Sequence, residues 1–389
     1  MENKLHILFL PRWYPNRHDS MYGLFVKRHA EAAAQLNDVS VVYVQSEDRK
    51  LAGLEAVRSI EDGVLTFRLY YKHSHIRFGI GKLINAIRYY QANVKGIKLV
   101  QKERGAFQLV HVHILTRLAI IALWLKWKLE IPYIITEHWS RYLPTTGSFK
   151  GNLRKWFTRQ CVQRAAMVTT VTQNLANAMQ GHGLHNRNYR ILPNVVDVEL
   201  FKPTVIKSSN VTRIIHISCF EDRSKNISGI LKVLSRLKSI RTDFHCTMVG
   251  DGEDFVKLNK LADSLGLIGR YVEYTGVLEG KALVSKLANA DCLLLFSHYE
   301  NLPVVIPESF SCGVPVISSK VGGIAELVND SNGILVEPGN EEALLQALVN
   351  LLDNSYVFDQ EAMRHNTIQT NSMDNVGALL NSWYRLAIK

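Results

Sequence analysis

The stretch that decides the fold runs Cys292-Leu-Leu-Leu-Phe-Ser-His-Tyr-Glu300 and continues Asn-Leu-Pro-Val-Val-Ile-Pro-Glu308. Residues 292–296 form a short apolar run, typical of a strand buried in a parallel sheet. The segment that begins at Glu308 is apolar and typical of a helix, and Gly313 closes it. Doubly wound sheets bind ligands at the carboxyl ends of their strands, beside helix N-termini. Both glutamates are therefore predicted to lie at a ligand site.

Apolar runs of strand length alternate with longer helical patterns through almost the whole chain. Strands are predicted at 5–10, 39–44, 64–71, 108–113, 132–136, 167–171, 189–193, 212–218, 244–249, 271–275, 291–297, 314–319 and 333–336. Helices are predicted at about 22–36, 80–104, 115–129, 150–165, 172–181, 226–239, 254–266, 279–289, 305–312, 322–329 and 340–353. This alternation predicts an α/β fold with two doubly wound, Rossmann-like domains that face each other across a cleft. Pro193 to Pro203 is the linker candidate, so we expect domains over 1–200 and 204–372. A last helix within 373–389 is expected to pack back on the first domain.

The composition fits two ordinary cores and no membrane span. The chain has 389 residues, and no apolar run approaches the roughly 18 residues that a transmembrane helix needs. The first apolar run, Leu5 to Leu10, is too short for a signal peptide. The five cysteines form no Cys-x-x-Cys pair and no Cys/His cluster, which predicts neither a disulfide framework nor a zinc site. We therefore expect a cytoplasmic protein.

The basic charge is concentrated in the first half. Residues 1–200 hold 28 Lys and Arg against 14 Asp and Glu, a net charge of +14, whereas residues 201–389 hold 18 against 21, a net charge of −3. This asymmetry favours a negatively charged partner for the first half: anionic lipid, a phosphorylated acceptor or nucleic acid. Cations alternate with aromatic and apolar residues at 83–104 and 118–128, so we expect peripheral docking on the inner face of a membrane. Scattered solvated Lys and Arg are the alternative interpretation.

Cations and glycines follow several predicted strands of the second half. Arg223 and Lys225 come just after the strand at 212–218. There each charge-assisted hydrogen bond to a diphosphate is worth about 1.5–3 kcal/mol. Gly276 follows another strand and lets a flat base approach the backbone, and Gly322-Gly323 follows a third. Together with the two glutamates, these features suit a nucleotide sugar, with hydroxyls for the acids and phosphates for the cations.

In order along the chain, these residues resemble the motifs of the family 4 retaining glycosyltransferases, which have the glycosyltransferase-B fold. The motifs are Val249-Gly-Asp-Gly252, Thr275-Gly276, Ala290-Asp291, Ser297-His-Tyr-Glu300, Pro307-Glu308, Gly313-Val-Pro-Val316, Gly322-Gly323, Glu326 and Gly333-Ile-Leu-Val336. The resemblance covers most of residues 190–350. The first half resembles the family more thinly, through Gly23 of the N-terminal glycine loop and Thr136-Glu-His138.

The resemblance implies a donor site in the C-terminal domain. Glu308 would hold the ribose hydroxyls, Glu300 would act at the transferred sugar, and Lys225 would neutralise the diphosphate. Arg223 would replace a family arginine, because this chain reads Ser218-Cys219 where the family has Gly-Arg. Donor contacts are also implied for Gly276 and for the stretch Asn301, Leu302, Pro303 and Val304.

The resemblance also implies that the N-terminal domain binds the acceptor. Gly23 would bring a backbone amide near the phosphates, and His138 would be catalytic together with Glu300. A histidine in the position of His138 also fits a satisfied core residue. His113, Glu137 and Trp139 are candidates for the acceptor side, although His113 fits a structural role and Glu137 a solvated carboxylate.

The implied reaction is transfer of a hexose, with retention, from a UDP- or GDP-sugar to a lipid-linked or polysaccharide acceptor of the cell envelope. Neither Glu300 nor His138 is predicted to be a nucleophile, because in a same-face attack the donor phosphate takes the acceptor proton. The chain contains no Asp-x-Asp. No metal and no cofactor are therefore expected, since Lys225 and helix N-termini supply positive charge.

Two other classes of function remain open at this point. A nucleotide-sugar epimerase or a phosphorylase has the same two-domain architecture, although the sequence gives no signal for a pyridoxal lysine. A nucleic-acid-binding protein would explain the basic first half. No helix-turn-helix, zinc finger or aromatic RNA-binding strand is recognisable, so nucleic acid is not an expected partner.

Overall fold

The computed structural model describes residues 3–49, 51, 53–115, 117–204 and 210–389. Within them the chain forms two compact units. The first contains the chain up to Val171, the segment Ala176–Val195 and the final segment Met373–Lys389. The second contains Thr172–Leu175 and Val196–Ser372.

The first unit is built on a mostly parallel sheet. Its strands are β1 (His6–Pro11), β2 (Asp38–Glu47), β3 (Glu55–Glu61), β4 (Val64–Lys72), β5 (Leu109–His113), β6 (Tyr133–Glu137), β7 (Met167–Thr170) and β8 (Tyr189–Ile191). The helices between them are α1 (Leu24–Ala34), α2 (Ile80–Arg104), α3 (Arg117–Leu129), α4 (Asn152–Arg164) and α5 (Gln173–Gly181), whose first three residues belong to the second unit. The order in the sheet is β3-β4-β2-β1-β5-β6-β7-β8, which brings the carboxyl ends of β1, β5 and β6 side by side.

A hairpin at the edge of this sheet escaped the sequence-based prediction. β3 pairs antiparallel with β4, and Asp62 and Gly63 join the two strands. Both turn residues have positive φ, 49° and 80°. Two central residues with positive φ form a turn whose twist matches that of the flanking strands, and Asp-Gly is a favoured sequence for it.

The second unit has a fully parallel sheet in the order β11-β10-β9-β12-β13-β14. Its strands are β9 (Thr212–Ile217), β10 (Phe244–Val249), β11 (Val272–Gly276), β12 (Cys292–Leu295), β13 (Val316–Ser319) and β14 (Gly333–Val336). Its helices are α6 (Asp222–Lys225), α7 (Ile227–Leu237), α8 (Phe255–Ser264), α9 (Gly280–Ala288), α10 (Val305–Ser311), α11 (Glu341–Leu352) and α12 (Gln360–Asn371). The helix predicted at 322–329 is wrong, because only a single 3-10 turn, Ile324–Glu326, forms there.

The last helix, α13 (Met373–Ile388), belongs to the first unit and packs on α1. It buries Val376, Leu380 and Tyr384 almost completely. A Cβ atom on Gly377 would lie 2.4 Å from the carbonyl oxygen of Ala32, so the two helices approach as closely as a glycine permits. In the described part of the chain, no helix is both long enough and apolar enough to span a bilayer.

Candidate active site

Lys225 and Glu300 form an ion pair in the second unit. Lys225 ends the short helix after β9, and Glu300 lies in the loop after β12. These two strands are neighbours in the parallel sheet, so their carboxyl ends meet at one edge. The Lys225 ammonium donates to Glu300 Oε1, and the Ser297 hydroxyl donates to the same oxygen at 3.0 Å. The sheet order thus brings together a cation and an acid that were both predicted as site residues.

Both members of the pair are largely shielded from water. The side chains of Lys225 and Glu300 are only 18% and 12% exposed. Burial lowers the pKa of Lys225, but the Glu300 carboxylate more than offsets it and holds that pKa above its ordinary value. The ammonium is therefore charged at neutral pH and available to an anionic ligand that displaces Glu300.

The double glycine at 322–323 holds the loop that carries Glu300. Gly322 has φ 58°, and a Cβ atom there would lie 2.1 Å from the carbonyl oxygen of Glu300. Gly323 donates its N–H to the Asn301 carbonyl at 2.8 Å. Any larger residue at 322 would push the loop away, so the glycines fix the position of the Glu300 backbone.

Glu308 lies in the first turn of α10, which begins five residues after Glu300. Its side chain is buried, and the residue is only 6% exposed. The intervening stretch Asn301, Leu302, Pro303 and Val304 leads directly into the helix, and the Glu308 N–H donates to the Val304 carbonyl. A buried acid in the first turn of a helix is stabilised by the positive end of the helix dipole.

The other predicted donor residues differ in their surroundings. Arg223 is exposed on α6. A Cβ atom on Gly276 would meet nothing within 4 Å, and its φ is 71°, so the backbone there is open to a flat ligand. A Cβ atom on Gly250 would lie 1.9 Å from the Ser218 carbonyl oxygen, which gives this glycine a packing role. Cys219 is exposed, and it lies close enough to Lys225 to contribute to the raised pKa of that ammonium.

Glu326 caps a helix rather than facing a ligand. One carboxylate oxygen accepts the backbone N–H of Gln173 and the other accepts that of Asn174, both at 2.7 Å. These N–H groups open α5, where no backbone carbonyl is available to accept them. The motif position of Glu326 therefore has a structural explanation in this chain.

In the first unit, His138 lies directly after β6 and is buried among aromatic rings. Its Nε2 is 3.2 Å from His113 Nδ1, and the two imidazoles are stacked with centroids 5.4 Å apart. The Phe25 ring is tilted against the His138 ring, with centroids 4.7 Å apart. Burial lowers the pKa of both histidines well below 6.5, and neighbouring imidazoles add to the effect. His138 is therefore neutral at pH 7.

His113 is fully buried, and among the described residues its Nε2 has no hydrogen-bond partner. A proton on Nδ1 lets His113 donate to His138 Nε2 and leaves His138 with its own proton on Nδ1. A buried nitrogen without a partner costs less as an unprotonated acceptor than as an N–H donor, which favours this arrangement. His113 then fixes the tautomer of His138.

His111 has a structural role. Its Nδ1 is 2.8 Å from the Tyr384 hydroxyl on α13, and its Nε2 is 2.6 Å from the Thr136 hydroxyl on β6. Thr136 in turn is 2.6 Å from Thr169 on β7. This buried chain of hydrogen bonds ties the last helix to three strands.

Glu137 is fully buried, and the backbone engages both of its carboxylate oxygens. Oε1 accepts from the N–H groups of His138 and Trp139 at 2.9 and 2.8 Å, and Oε2 accepts from that of Leu115 at 2.8 Å. Burial raises the pKa of Glu137 to about 7, against the effect of these three donors. Glu137 is thus neither a solvated carboxylate nor exposed to an acceptor, and it positions the loop that carries His138.

Three imidazoles, those of His29, His113 and His138, bring ring nitrogens within 4.8 Å of one another. Such a set has the donors that zinc accepts. Both nitrogens of His29 already lie 2.9 Å from carbonyl oxygens, those of Phe25 and Pro193. A metal would have to displace one of these contacts, so the cluster does not form a ready ligand set.

Gly23 precedes α1 and lies against the end of β1. Its φ is 71°, and a Cβ atom there would lie 2.3 Å from the carbonyl carbon of Trp13. The Gly23 carbonyl accepts the N–H of Val26 at 2.9 Å. The glycine therefore allows close approach between the helix start and the segment that follows β1.

A cavity of about 750 Å³ opens in the first unit, next to the carboxyl ends of β1, β2, β5 and β6. Its walls carry the following cationic side chains: Arg12, Lys82, Arg117, Arg141 and Arg154. Aromatic residues line it as well: Tyr22, Tyr43, Tyr71, Tyr89, Trp139 and Phe157. Of the three predicted acceptor residues, only Trp139 lines this cavity. Three of the four arginines, Arg12, Arg117 and Arg154, were missed, although the net charge of +14 in residues 1–200 pointed to such a cluster.

Two sequence families match adjacent segments that together cover most of the chain. Residues 23–200 match the family described as Glycosyltransferase Family 4, and residues 200–371 match Glycosyl transferases group 1. An uncharacterized glycosyltransferase of Methanocaldococcus jannaschii is 25% identical over 314 residues, which cover 77% of this chain and 82% of that protein.

Two further similarities have more specific names. A GDP-mannose-dependent monoacylated alpha-(1-6)-phosphatidylinositol monomannoside mannosyltransferase of Corynebacterium glutamicum is 28% identical over 180 residues, 42% of this chain and 46% of that protein. Among solved structures, Anabaena HepE in complex with UDP superposes with a TM-score of 0.71 at 18% identity, covering 97% of this chain and 99% of that one.

The fold and the matches define a glycosyltransferase with the glycosyltransferase-B fold. Its two parallel sheets are those expected of that fold, which confirms the predicted class. The chain belongs to glycosyltransferase family 4.

Proposed function

We propose that this enzyme transfers a hexose from a UDP- or GDP-sugar to a lipid-linked or polysaccharide acceptor of the cell envelope, with retention of configuration and without a metal ion. The observation that carries the proposal is the shielded Lys225–Glu300 pair at the carboxyl ends of β9 and β12. The Corynebacterium relative named for GDP-mannose and a phosphatidylinositol acceptor, and the UDP complex of HepE, support this choice of substrates.

Each partner of the pair has a distinct role in the proposal. Lys225 donates to the diphosphate and stabilises the charge that develops on it as the glycosidic bond breaks. Glu300, released from Lys225, accepts from hydroxyls of the transferred sugar, and Glu308 accepts from the ribose. Arg223 binds the phosphates, and the base packs against the open backbone at Gly276. The acceptor hydroxyl attacks the face that the diphosphate leaves, and its proton passes to a donor phosphate oxygen.

His138 and Gly23 act from the first unit. A neutral His138 forms a hydrogen bond with the sugar without adding a full positive charge beside the cationic reacting carbon. Gly23 offers the N-terminal end of α1, where the positive end of the helix dipole suits a phosphate oxygen. The cavity beside Trp139 holds the acceptor.

Membrane docking is the proposed reason for an exposed apolar surface around this cavity. α3, α4 and the start of α2 line the cavity, and exposed large apolar side chains lie on these helices and on the segment just before α2. These are Ile76, Phe78, Ile80, Leu83, Ile87, Ile120, Trp124, Trp127, Leu129, Leu153, Trp156 and Phe157. Phe78 is 98% and Trp127 90% exposed. Aromatic residues beside Lys126 and Lys128 suit the headgroup region of an anionic bilayer.

Chemical labelling tests the donor site. Among the five cysteines, all of which the structure describes, only Cys219 is exposed. N-ethylmaleimide should therefore label one position, and a bound nucleotide sugar should slow that labelling because it covers Lys225 nearby. Cys219→Ser provides the control without labelling. A labelling rate unchanged at nucleotide-sugar concentrations that calorimetry shows to be saturating would contradict the proposed site.

Sedimentation of the full chain with vesicles tests the docking surface. Binding should be stronger to vesicles containing anionic lipid than to neutral ones, and Trp127→Ala with Phe78→Ala should reduce it. Val357→Ala is the matched control, because Val357 is 94% exposed in the second unit. Equal sedimentation with both kinds of vesicle would end the membrane part of the proposal.

A further inference from the structure

The cavity of the first unit is cationic beyond what a neutral sugar acceptor requires. Five cationic side chains contribute to its walls, and none of the lining residues that the structure describes is Asp or Glu. Among the described residues, none of these five cations forms an ion pair with a carboxylate. Their charge therefore remains available to a ligand.

The two acids that flank the cavity along the chain are already neutralised. Glu47 ends β2, next to the lining residue Ser46, but its carboxylate contacts Arg17, His18 and Arg49. Glu137 ends β6, and three backbone N–H groups hold its carboxylate as described above. Both carboxylates are thus already engaged by partners of their own, although the Glu137 charge still acts on Arg141.

The cations lie close to one another and to the aromatic floor. The Arg141 guanidinium stacks on the Trp139 ring, 3.5 Å from its centroid, and the Arg117 guanidinium lies 5.9 Å from the centroid of Tyr89. Burial lowers the pKa of Arg141; Tyr142 and Glu137 oppose this effect, whereas the charges of Arg154 and Arg12 add to it. Arg141 Nε is buried and has no hydrogen-bond partner among the described residues. An anion in the cavity would relieve this repulsion.

We propose that the cavity selects an acceptor that carries a negatively charged group, a phosphate or a carboxylate, and that Arg12, Arg117, Arg141 and Arg154 recognise it. The assignment of the ligand as acceptor rests on the proposed transferase function. Planar guanidinium groups donate two parallel hydrogen bonds to either anion, and the tyrosine hydroxyls supply further donors. A lipid phosphate and the carboxylate of an acidic saccharide share this chemistry.

Calorimetry on the full chain tests the proposal with four probes: inorganic diphosphate, geranyl diphosphate, D-glucuronate and D-glucose. The Lys225→Gln background removes the proposed diphosphate site of the second unit, so binding reports on the first. At least one anionic probe should bind more tightly than glucose, with an affinity that falls as salt is added. A higher affinity for geranyl diphosphate than for inorganic diphosphate identifies a lipid as the source of the anionic group. A higher affinity for glucuronate than for both diphosphates identifies an acidic saccharide.

Variants of exposed Arg117 and of Arg141 locate the binding. Arg117→Gln and Arg141→Gln should each weaken the anionic probe by about tenfold or more, since each removes a charge-assisted hydrogen bond. Arg117→Lys keeps the charge but loses the paired hydrogen bonds, so its affinity should lie between those of the wild type and Arg117→Gln. Arg187→Gln is the matched control, an exposed arginine of the same unit that does not line the cavity.

Two outcomes would overturn the inference: glucose binding as tightly as every anionic probe, or anion binding that neither glutamine variant changes. The proposed transferase function fails separately, if no UDP- or GDP-sugar binds to the wild-type chain. Anion binding in the cavity is measured without a donor and therefore stands or falls by itself.

Discussion

Replacing either member of the Lys225–Glu300 pair should have opposite effects on nucleotide binding. A diphosphate that binds Lys225 must first take the ammonium from Glu300, which holds it in a site where the side chains are 18% and 12% exposed. In Glu300→Gln this competition is gone. We therefore expect UDP or GDP, whichever the wild type binds, to bind this variant as tightly as the wild type or more tightly.

The corresponding nucleotide sugar should behave differently in Glu300→Gln. The variant loses the charged acceptor for the sugar hydroxyls, and a hydrogen bond to a charged group is worth about 1.5–3 kcal/mol. The sugar's contribution to affinity should therefore fall by about 10- to 150-fold. The ratio of nucleotide-sugar to nucleotide affinity isolates this loss from any change at Lys225.

Lys225→Gln should weaken the nucleotide and the nucleotide sugar alike. The variant removes at least one charge-assisted hydrogen bond to the diphosphate, again about 10- to 150-fold in affinity. Ser297 still donates to Glu300 at 3.0 Å, so the carboxylate keeps one partner. Lys286→Gln is the matched control, because Lys286 pairs with Glu273 at the surface of the same unit.

Calorimetry with nucleotide and nucleotide sugar tests these expectations on the wild type, Glu300→Gln, Lys225→Gln and Lys286→Gln. Thermal unfolding verifies that each variant is folded. The reasoning is refuted if Lys225→Gln binds the nucleotide as the wild type does. It is equally refuted if Glu300→Gln weakens nucleotide and nucleotide sugar by the same factor.

Three further predictions concern the first unit. Tyr384→Phe removes the hydroxyl that lies 2.8 Å from His111 Nδ1 and should lower the free energy of unfolding by about 1–3 kcal/mol, measured by denaturant titration; an unchanged midpoint would show that the bond contributes nothing. Glu137→Gln replaces the carboxylate that accepts the Leu115 N–H with an amide, and it should lower the free energy of unfolding by a similar amount. Because burial raises the pKa of Glu137 to about 7, the stability that this residue contributes to the wild type is lost as pH rises from 4.5 to 7. The difference in unfolding free energy between wild type and variant should therefore shrink over that range. A constant difference contradicts the raised pKa. Burial lowers the pKa of His29 from 6.5 to about 4, so between these pH values the unfolded state binds one more proton than the folded state. The free energy of unfolding should therefore fall by about 3 kcal/mol as pH drops from 6.5 to 4. His29→Gln should reduce the pH dependence of this free energy by about one proton, and an unaltered dependence would be inconsistent with a buried neutral imidazole.

The strands and most helices could be predicted because their apolar patterns are local. The predicted strand at 244–249 coincides with β10, and the apolar run at 292–296 became β12 with one residue fewer. β3 was missed, although Asp62-Gly63 is a strong hairpin signal, because its exposed edge position leaves few apolar residues to mark it.

Other elements depend on tertiary context. α12 was missed because it buries Met363, Thr367 and Asn371, so that two of its three inward residues are polar. The helix predicted at 322–329 is reduced to one 3-10 turn, since Gly322 has positive φ and Glu326 is used to cap α5.

The candidate site was predictable where the order of a parallel sheet determines proximity. Lys225 and Glu300 follow strands that are neighbours, so their contact follows from the rule for strand ends. The cationic cavity was not predictable, because Arg12, Arg117 and Arg141 come from separate segments and meet only in the folded unit. From the sequence alone, the excess of basic residues in 1–200 and the acceptor candidate Trp139 were visible.

The placement of α13 in the first unit has a consequence for biosynthesis. A ribosome completes β1 to β8 long before it reaches Met373, and it makes the whole second unit in between. During that interval His111 lacks its hydrogen bond with the Tyr384 hydroxyl, and the face of α1 that packs on α13 stays exposed. A nascent chain halted before residue 373 therefore exposes an incomplete core to chaperones and proteases.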